Sequence, residues 1–404
     1  LKIIYLHQYF TTPEMSGGTR SFEMARRLVD KGHEVHIITS WRDKRCHKGW
    51  WLQDIKGIKV HWLPVDYNNS MSYRKRLAAF FKFAGASAVK AASIKNADLV
   101  FATSTPLTIA IPGIYASKRL KIPMVFEVRD LWPEMPIAVG ALNNTLLRWA
   151  AGRLEKFAYR NSKHVIALSP GMKEGVIRGG VSSDKVTVIP NGSDLELFSP
   201  SRYREELFNQ KYPELAGEKL IVYAGTLGKI NGVEYFVDVA KACQTIMPAC
   251  RFAIFGDGLE RDAIIDKANK LGCLGKNLYI YDPVSKNEMT QVLGASDLSL
   301  SLFINLEPMW VNSANKFFDT LASGTPIAIN YGGWQEDLIQ SSGAGLVLPP
   351  SDPTRAAELI VDFLNDQKRC IASGEAALKL AREQFDRDKL ALQLEHVLLE
   401  TVKK

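Results

Sequence analysis

The sequence predicts an α/β protein: two doubly wound domains facing a central cleft, followed by a helical C-terminal tail. Three observations predict it. With 404 residues the chain exceeds what one hydrophobic core ordinarily supports. Short apolar, β-branched runs alternate with longer helical stretches, and the alternation comes as two successive series. The runs are continuously hydrophobic, as in strands buried on both faces of a parallel sheet.

In chain order the first series reads KIIYL, VHIITS, KVHWLPV, LVFATS, MVFEV and HVIALS, with helices over Thr19–Lys31, Tyr73–Ile94 and Thr145–Arg160 between them. A Pro/Asn/Gly turn in VIPNGSDLELF (Val188–Phe198) closes the series. The second series reads KLIVYAG, RFAIFG, NLYIY, DLSLSL, PIAIN and GLVLP. Beyond Asp352 the chain is almost all helix, including Lys389–Val402. The expected division is therefore a first domain over 1–190, a second over 191–375, and a tail over 376–404 that packs back toward the first. Open sheets of this kind bind ligands outside the carboxyl ends of their strands, so function is expected in the loops that follow those strands.

At 46% hydrophobic and 23% charged residues the composition is that of a folded globular protein and excludes disordered and fibrous classes. A net charge of +8 favours an anionic partner: a nucleotide, a nucleic acid or an acidic membrane face. The five cysteines (Cys46, Cys243, Cys250, Cys273 and Cys370) include no C-x-x-C pair. That pattern fits free thiols in a reducing compartment better than a disulfide framework or a zinc site. The opening LKIIYLHQYF turns polar too early for a secretory segment, and no apolar run approaches the ~20 residues of a spanning helix. The expected location is cytoplasmic.

Three loops place glycines between a strand and a helix: Gly17-Gly18, YAGTLGKING (Tyr223–Gly232) and GDGLER (Gly256–Arg261). Glycines there let backbone N–H groups approach a phosphate at the positive helix end. The same runs also fit ordinary strand-to-helix turns. GDGLER lacks the third glycine of a dinucleotide fingerprint, and no well-placed acid follows the first strand, which argues against a dehydrogenase. The most informative stretch is EPMWVNSANKFFDTLASGTP (Glu307–Pro326), a loop with an acid leading to a helix with Lys316 and Asp319 near its start. A lysine at a helix N-terminus opposes the helix dipole. The placement makes sense if a diphosphate shares the site, because lysine and dipole then act on one anion. Asp319 is suited to accept hydrogen bonds from two ribose hydroxyls. A solvated first turn with an incidental ion pair is the alternative.

Taken in order and spacing, SGGTRSFEMARRLVDKGHEVHIITS, VRDLWPE, VIPNGSDLELF, YAGTLG, FGDG and NKFFDTLASGTPI resemble the family-4 glycosyltransferases of the GT-B architecture, built from two Rossmann-like domains. The likeness covers nearly the whole chain. The RDLWP loop and the N-K-x-F-D helix resemble the branch that adds sugars to lipid-linked precursors of bacterial surface polysaccharides. The resemblance implies a retaining transferase that moves a sugar from a nucleotide-diphosphate donor, a UDP-sugar, to a polyprenyl-diphosphate-linked glycan, with no metal and no cofactor. It implies that Gly17 and Gly18 approach the donor phosphates from the first domain, and Gly225, Thr226 and Gly256 from the second. Asn315 opens the phosphate-facing helix, Lys316 stabilises the leaving diphosphate, and Asp319 holds the ribose. Asp130 orients, or partly deprotonates, the acceptor hydroxyl.

The chain departs from the family pattern in three places. The acid expected eight positions before Asp319 is Val311, which leaves Glu307 as the nearest candidate at the donor sugar. The Arg and Lys expected after YAG are Thr226 and Asn231, leaving Lys229 and Lys316 as nearby cations. The usual His before Asp130 is Arg129; Asp130 read alone also fits a helix or turn cap.

On the acceptor side, the helix Ser72–Ala92 carries an apolar stripe of Tyr73, Leu77, Phe80, Phe81, Ala84 and Ala88 that reads as core. Phe83 falls on its far side near Arg76 and Lys90, and the loop Trp41–Trp51 repeats the basic-aromatic mixture. Arg129, Arg76, Phe83, Trp50 and Trp51 are thus the expected acceptor or membrane contacts, at the anionic inner leaflet of the cytoplasmic membrane. Such patches also stack nucleic-acid bases, but no nucleic-acid module accompanies them. Two other functions stay open: a nucleotide-sugar 2-epimerase, whose acid/base groups are not identifiable here, and a non-catalytic nucleotide-sugar-binding subunit.

Overall fold

The structure is a computed structural model that describes residues 1–15, 17–42, 48–66, 71, 73–140, 142–200 and 202–403. The chain forms two units, Leu1–Pro190 with Asp388–Lys404, and Asn191–Arg387.

The first unit is an eight-stranded sheet of β1 (Lys2–Leu6), β2 (Glu34–Trp41), β3 (Trp51–Ile55), β4 (Ile58–Pro64), β5 (Leu99–Thr103), β6 (Met124–Val128), β7 (His164–Ala167) and β8 (Val186–Val188). Their order is β3-β4-β2-β1-β5-β6-β7-β8. All neighbours are parallel except β3 and β4, a hairpin closed by Lys56 and Gly57. Both turn residues have positive φ (51° and 78°), the pairing that matches strand twist. Strand β3 was not foreseen. It is an edge strand whose Leu52, Gln53 and Asp54 are exposed, so it carries none of the continuous apolar signal that marks the others.

The sheet interior is apolar on both faces. Ile3, Tyr5, Val35, Ile37, Phe101 and Val125 belong to one buried cluster with Phe22 and Leu28 of the helix Arg20–Asp30. The C-terminal helix Arg387–Lys403 adds Leu390, Leu394, Val397 and Leu398 to the same cluster, at the spacing of one helical face. Its polar edge is tied down by Asp388 to Arg27 (2.5 Å) and Glu395 to His33 (2.9 Å).

The second unit is a wholly parallel six-stranded sheet: β9 (Leu220–Ala224), β10 (Arg251–Phe255), β11 (Leu278–Tyr281), β12 (Leu298–Ser301), β13 (Ile327–Ile329) and β14 (Gly345–Val347). The order β11-β10-β9-β12-β13-β14 reverses between β9 and β12. In the first unit the reversal falls between β1 and β5. Such switch points leave a crevice at the carboxyl ends of the two strands, the place where open α/β sheets hold ligands.

Both ends of the second unit meet. Ser193 and Asp386 form a parallel bridge, and Arg387, 2% exposed, donates to the Gly192 carbonyl and the Asp194 carboxylate, each at 2.5 Å.

Candidate active site

In the second unit the loops after β9 and β12 converge at the switch point, and Ile304 N–H donates to the Ile230 carbonyl at 2.9 Å. The loop after β10 lies directly on the loop after β9. Gly225 N–H reaches the Phe255 carbonyl (3.0 Å) and Leu227 N–H the Asp257 carbonyl (2.9 Å). A Cβ on Gly256 would stand 2.0 Å from the Gly225 carbonyl oxygen, so only glycine fits there. Gly256 therefore serves loop-to-loop packing. Its N–H donates to the Tyr281 carbonyl (3.2 Å).

Lys316 is the second residue of the helix Asn315–Ala322. Its amine donates to Tyr223 Oη at 2.8 Å and sits 4.3 Å from the centroid of the Tyr223 ring and 5.6 Å from that of Phe303. A Cβ on Gly225 would lie 3.3 Å from Lys316 Nζ, so the glycine gives the lysine its room. Tyr223 is itself fixed, because its hydroxyl donates to the Thr226 carbonyl at 2.9 Å. Among the described residues no carboxylate pairs with this amine, and burial alone pushes its pKa down to about 7. The arrangement is a cation at the positive end of a helix, where its charge and the free N–H groups of the first turn favour the same anion. Asn315 beside it has a buried Oδ1 with no hydrogen-bond partner among the described residues.

Asp319 follows Lys316 by three residues and shares its helix face. Its Oδ1 accepts from Ser193 Oγ at 2.7 Å. Ser193 is held in turn through its backbone, whose N–H donates to the Phe385 carbonyl (3.0 Å) and whose carbonyl accepts from Arg387 N–H (3.2 Å), while Asn191 two residues earlier donates through its backbone N–H to Ser313 Oγ (3.0 Å) and through Nδ2 to the Ser313 carbonyl (2.5 Å). The Pro-Asn-Gly-Ser turn thus orients the acid while leaving Oδ2 to another donor.

In the first unit, polar residues gather where β1, β5 and β6 end. Thr105 Oγ1 donates to Asp130 Oδ2 at 3.0 Å, and Arg129 N–H to Ser104 Oγ at 3.0 Å. Arg129 Nη1 stands 3.3 Å from His7 Nε2. Burial, with Arg129 and Arg42 nearby, holds the His7 pKa far below its usual value, so the ring is neutral and accepts. Burial raises the Asp130 pKa against the opposing pull of Thr105 and Arg129. His7 Nδ1 and both amide atoms of Gln8 are buried without hydrogen-bond partners among the described residues. Gly17, at φ 135°, and Gly18 precede the helix Arg20–Asp30, and Thr11 Oγ1 closes the loop on the Gly18 carbonyl at 2.8 Å.

Two family models match in tandem, a glycosyl transferase 4-like domain over residues 17–192 and glycosyl transferases group 1 over 204–380. Between them they take in Asp130 and Arg129 of the first cluster and Lys316 and Asp319 of the second. The chain belongs to the family-4 glycosyltransferases. WcaI of Escherichia coli (strain K12), a glycosyl transferase named for colanic acid biosynthesis, is 24% identical over 306 residues, 72% of this chain and 74% of its own. WbjE of Pseudomonas aeruginosa, also named as a glycosyltransferase, is 23% identical over 273 residues, 66% of each chain. Anabaena HepE, solved in complex with UDP-glucose, aligns over 99% of both chains with a TM-score of 0.74 at 18% identity. The chain has the GT-B fold.

Within this glycosyltransferase, Gly225, Thr226, Asn315, Lys316 and Asp319 belong to one corner of the second unit, joined by Tyr223 and Ser193, which sequence reasoning missed. The Tyr before Ala-Gly at a strand end was the available signal for Tyr223. Glu307 lies on the short turn Glu307–Met309, exposed and bonded to neither Lys316 nor Asp319. Asn231, at a position where the family carries a cation, is 7% exposed and packs inside its own loop.

One expected surface contact is corrected. Phe83 is fully buried, because the helix Tyr73–Ala92 turns its small residues Ala79, Ala84, Ser87, Ala88 and Ala91 inward with it. Phe81, expected in the core, is 55% exposed. Arg76 is half-buried. Trp50 is half-buried under the Lys90 amine (5.8 Å), and Trp51 stacks on Trp62 (6.2 Å) beside Trp41. Residues 43–47 of that loop, Cys46 included, lie outside the described residues, as do Ser16, Ser72 and the side chains of residues 73 and 74.

Proposed function

We propose that this glycosyltransferase is a metal-independent, retaining enzyme that moves a sugar from a UDP-sugar to a lipid-linked glycan in bacterial surface polysaccharide synthesis. Lys316 is the observation that carries the reading: a cation with no carboxylate partner, on a helix N-terminus, at the switch point of a parallel sheet. Breaking the glycosidic bond to the diphosphate builds negative charge on the departing oxygens. Lys316 and the N–H groups of Asn315 and Lys316 meet that charge, doing the work a metal ion does elsewhere. Gly225 and Thr226 border the diphosphate on one side. Asp319, steadied by Ser193, binds the ribose through its remaining oxygen. Glu307 acts at the donor sugar from its exposed turn. Asp130, made more basic by burial and steadied by Thr105, orients the acceptor hydroxyl and shares its proton.

UDP follows from the ligand named with HepE, and a surface glycan from the name of WcaI. Among the described residues no helix is long and apolar enough to cross a membrane. In this reading a lipid-linked acceptor is met by peripheral contact with the inner leaflet. The test is thermal unfolding with UDP, GDP, dTDP, CMP and NAD, for wild type and Asp319→Ala. A ligand at ~100 times its Kd stabilises by ~2.7 kcal/mol. Stabilisation by UDP that the variant loses is the expected result; a shift with NAD alone, or with no diphosphate, overturns the reading.

A further inference from the structure

We infer that the outward face of the helix Thr145–Arg160 is a docking surface for an anionic lipid bilayer; this deepens the peripheral-membrane reading above and rests on it. Leu146, Trp149 and Phe157 are 68%, 62% and 45% exposed, although each is a side chain that folding ordinarily hides. They do not scatter. With the exposed Arg153, Lys156 and Arg160 they follow the spacing i, i+3, i+7, i+10, i+11, i+14. At 100° per residue that places all six within an arc of about 100°, along about 21 Å of helix.

The cations and rings are built into one another. The Arg153 guanidinium lies 5.7 Å from the centroid of the Trp149 ring. From the adjacent helix Ala110–Leu120, the Lys118 amine lies 5.5 Å from the Phe157 centroid, and Tyr115 stands 48% exposed. The acid of the helix, Glu155, sits on the opposite side, where it accepts from Tyr159 Oη at 2.9 Å. The outward face therefore carries cations and apolar groups and no anion.

That chemistry fits a bilayer surface. Tryptophan and phenylalanine enter the boundary between headgroups and acyl chains, while long arginine and lysine side chains keep their charges at the lipid phosphates. A straight stripe on the outside of a helix presents a line to a plane. Phe83, on which the sequence placed part of a basic-aromatic signal, is buried, whereas the rings of this face are exposed.

The test is flotation of the full chain with vesicles of phosphatidylcholine containing about one third phosphatidylglycerol, against pure phosphatidylcholine, at low salt. Two variants are compared with wild type: Trp149→Ser with Phe157→Ser, and Arg153→Glu with Lys156→Glu. The expected result is wild-type binding to the anionic vesicles only, lowered at least about tenfold by either pair. UDP-dependent stabilisation of the same samples should be unchanged, which reports that the variants are folded. Wild-type binding that both pairs leave intact overturns this surface and spares the membrane reading. Absence of wild-type binding overturns both. Self-association, or binding to single-stranded RNA in place of vesicles, that the Trp149 pair abolishes also overturns the proposal.

Discussion

An ammonium group pressed against Tyr223 and Phe303, with burial as the force acting on it, releases its proton near pH 7 instead of 10.5. The groups that face it are the neutral Tyr223, Phe303 and the Gly225 backbone, and none offers a compensating charge. The consequence has a definite sign. Above pH 7 the free protein carries Lys316 largely uncharged; a diphosphate on the amine favours the charged form and raises its pKa. Binding of UDP at pH 8 should therefore take up close to one proton, and affinity should weaken as pH rises through 7 and 8. Calorimetry in buffers of different ionisation enthalpy reads that uptake. Lys316→Arg, which stays charged throughout, should abolish it. Lys316, Asp319 and Asp130 were legible in the sequence because each stands where a strand or loop hands over to a helix. Tyr223, Ser193, His7 and Gln8 were not, since their roles depend on which strands become neighbours. The packing of Gly256 on the Gly225 carbonyl was not legible for the same reason: a glycine that touches a backbone and one that touches a phosphate look alike in sequence.

At the scale of elements, continuous apolar runs located the buried parallel strands, whereas the exposed edge strand β3 left no such mark. The helix Tyr73–Ala92 was legible as a helix but its rotation was not. Its large residues suggested one inner face; packing beside the helix Ala110–Leu120 selects another, where alanines and Ser87 admit close approach and Phe83 fills the remaining space. Two substitutions separate these faces. Phe83→Ala should destabilise the protein by about 3–5 kcal/mol, as the loss of a fully buried ring does. Phe81→Ala should change stability by no more than about 0.5 kcal/mol. Urea unfolding of the two variants is the check; equal losses would restore the face read from the sequence.

For the whole molecule, the repeated alternation of strand and helix announced two doubly wound sheets, and the Pro-Asn-Gly turn announced where the first gives way to the second. The tail expected to return to the first unit from residue 376 does so from Asp388, and strand order comes from packing that no local pattern records. The same is true of the buried pair between Arg20 and Glu127 (2.8 Å), which also holds the Ile189 and Pro190 carbonyls at the end of that unit. Such devices leave each sheet's switch point as a fixed frame for the residues that act there. The central claim is that this frame performs transfer from a UDP-sugar with Lys316 on the leaving group and Asp130 on the acceptor. It is tested most directly by UDP release from a panel of UDP-sugars in the presence of bacterial membrane lipid extract, for wild type, Lys316→Met and Asp130→Asn. The account predicts release from one UDP-sugar, dependent on the extract, and lower by about 10²–10³-fold in Lys316→Met. Asp130→Asn should lose release while keeping UDP binding. Donor binding without release, or release at the wild-type rate from both variants, would contradict it.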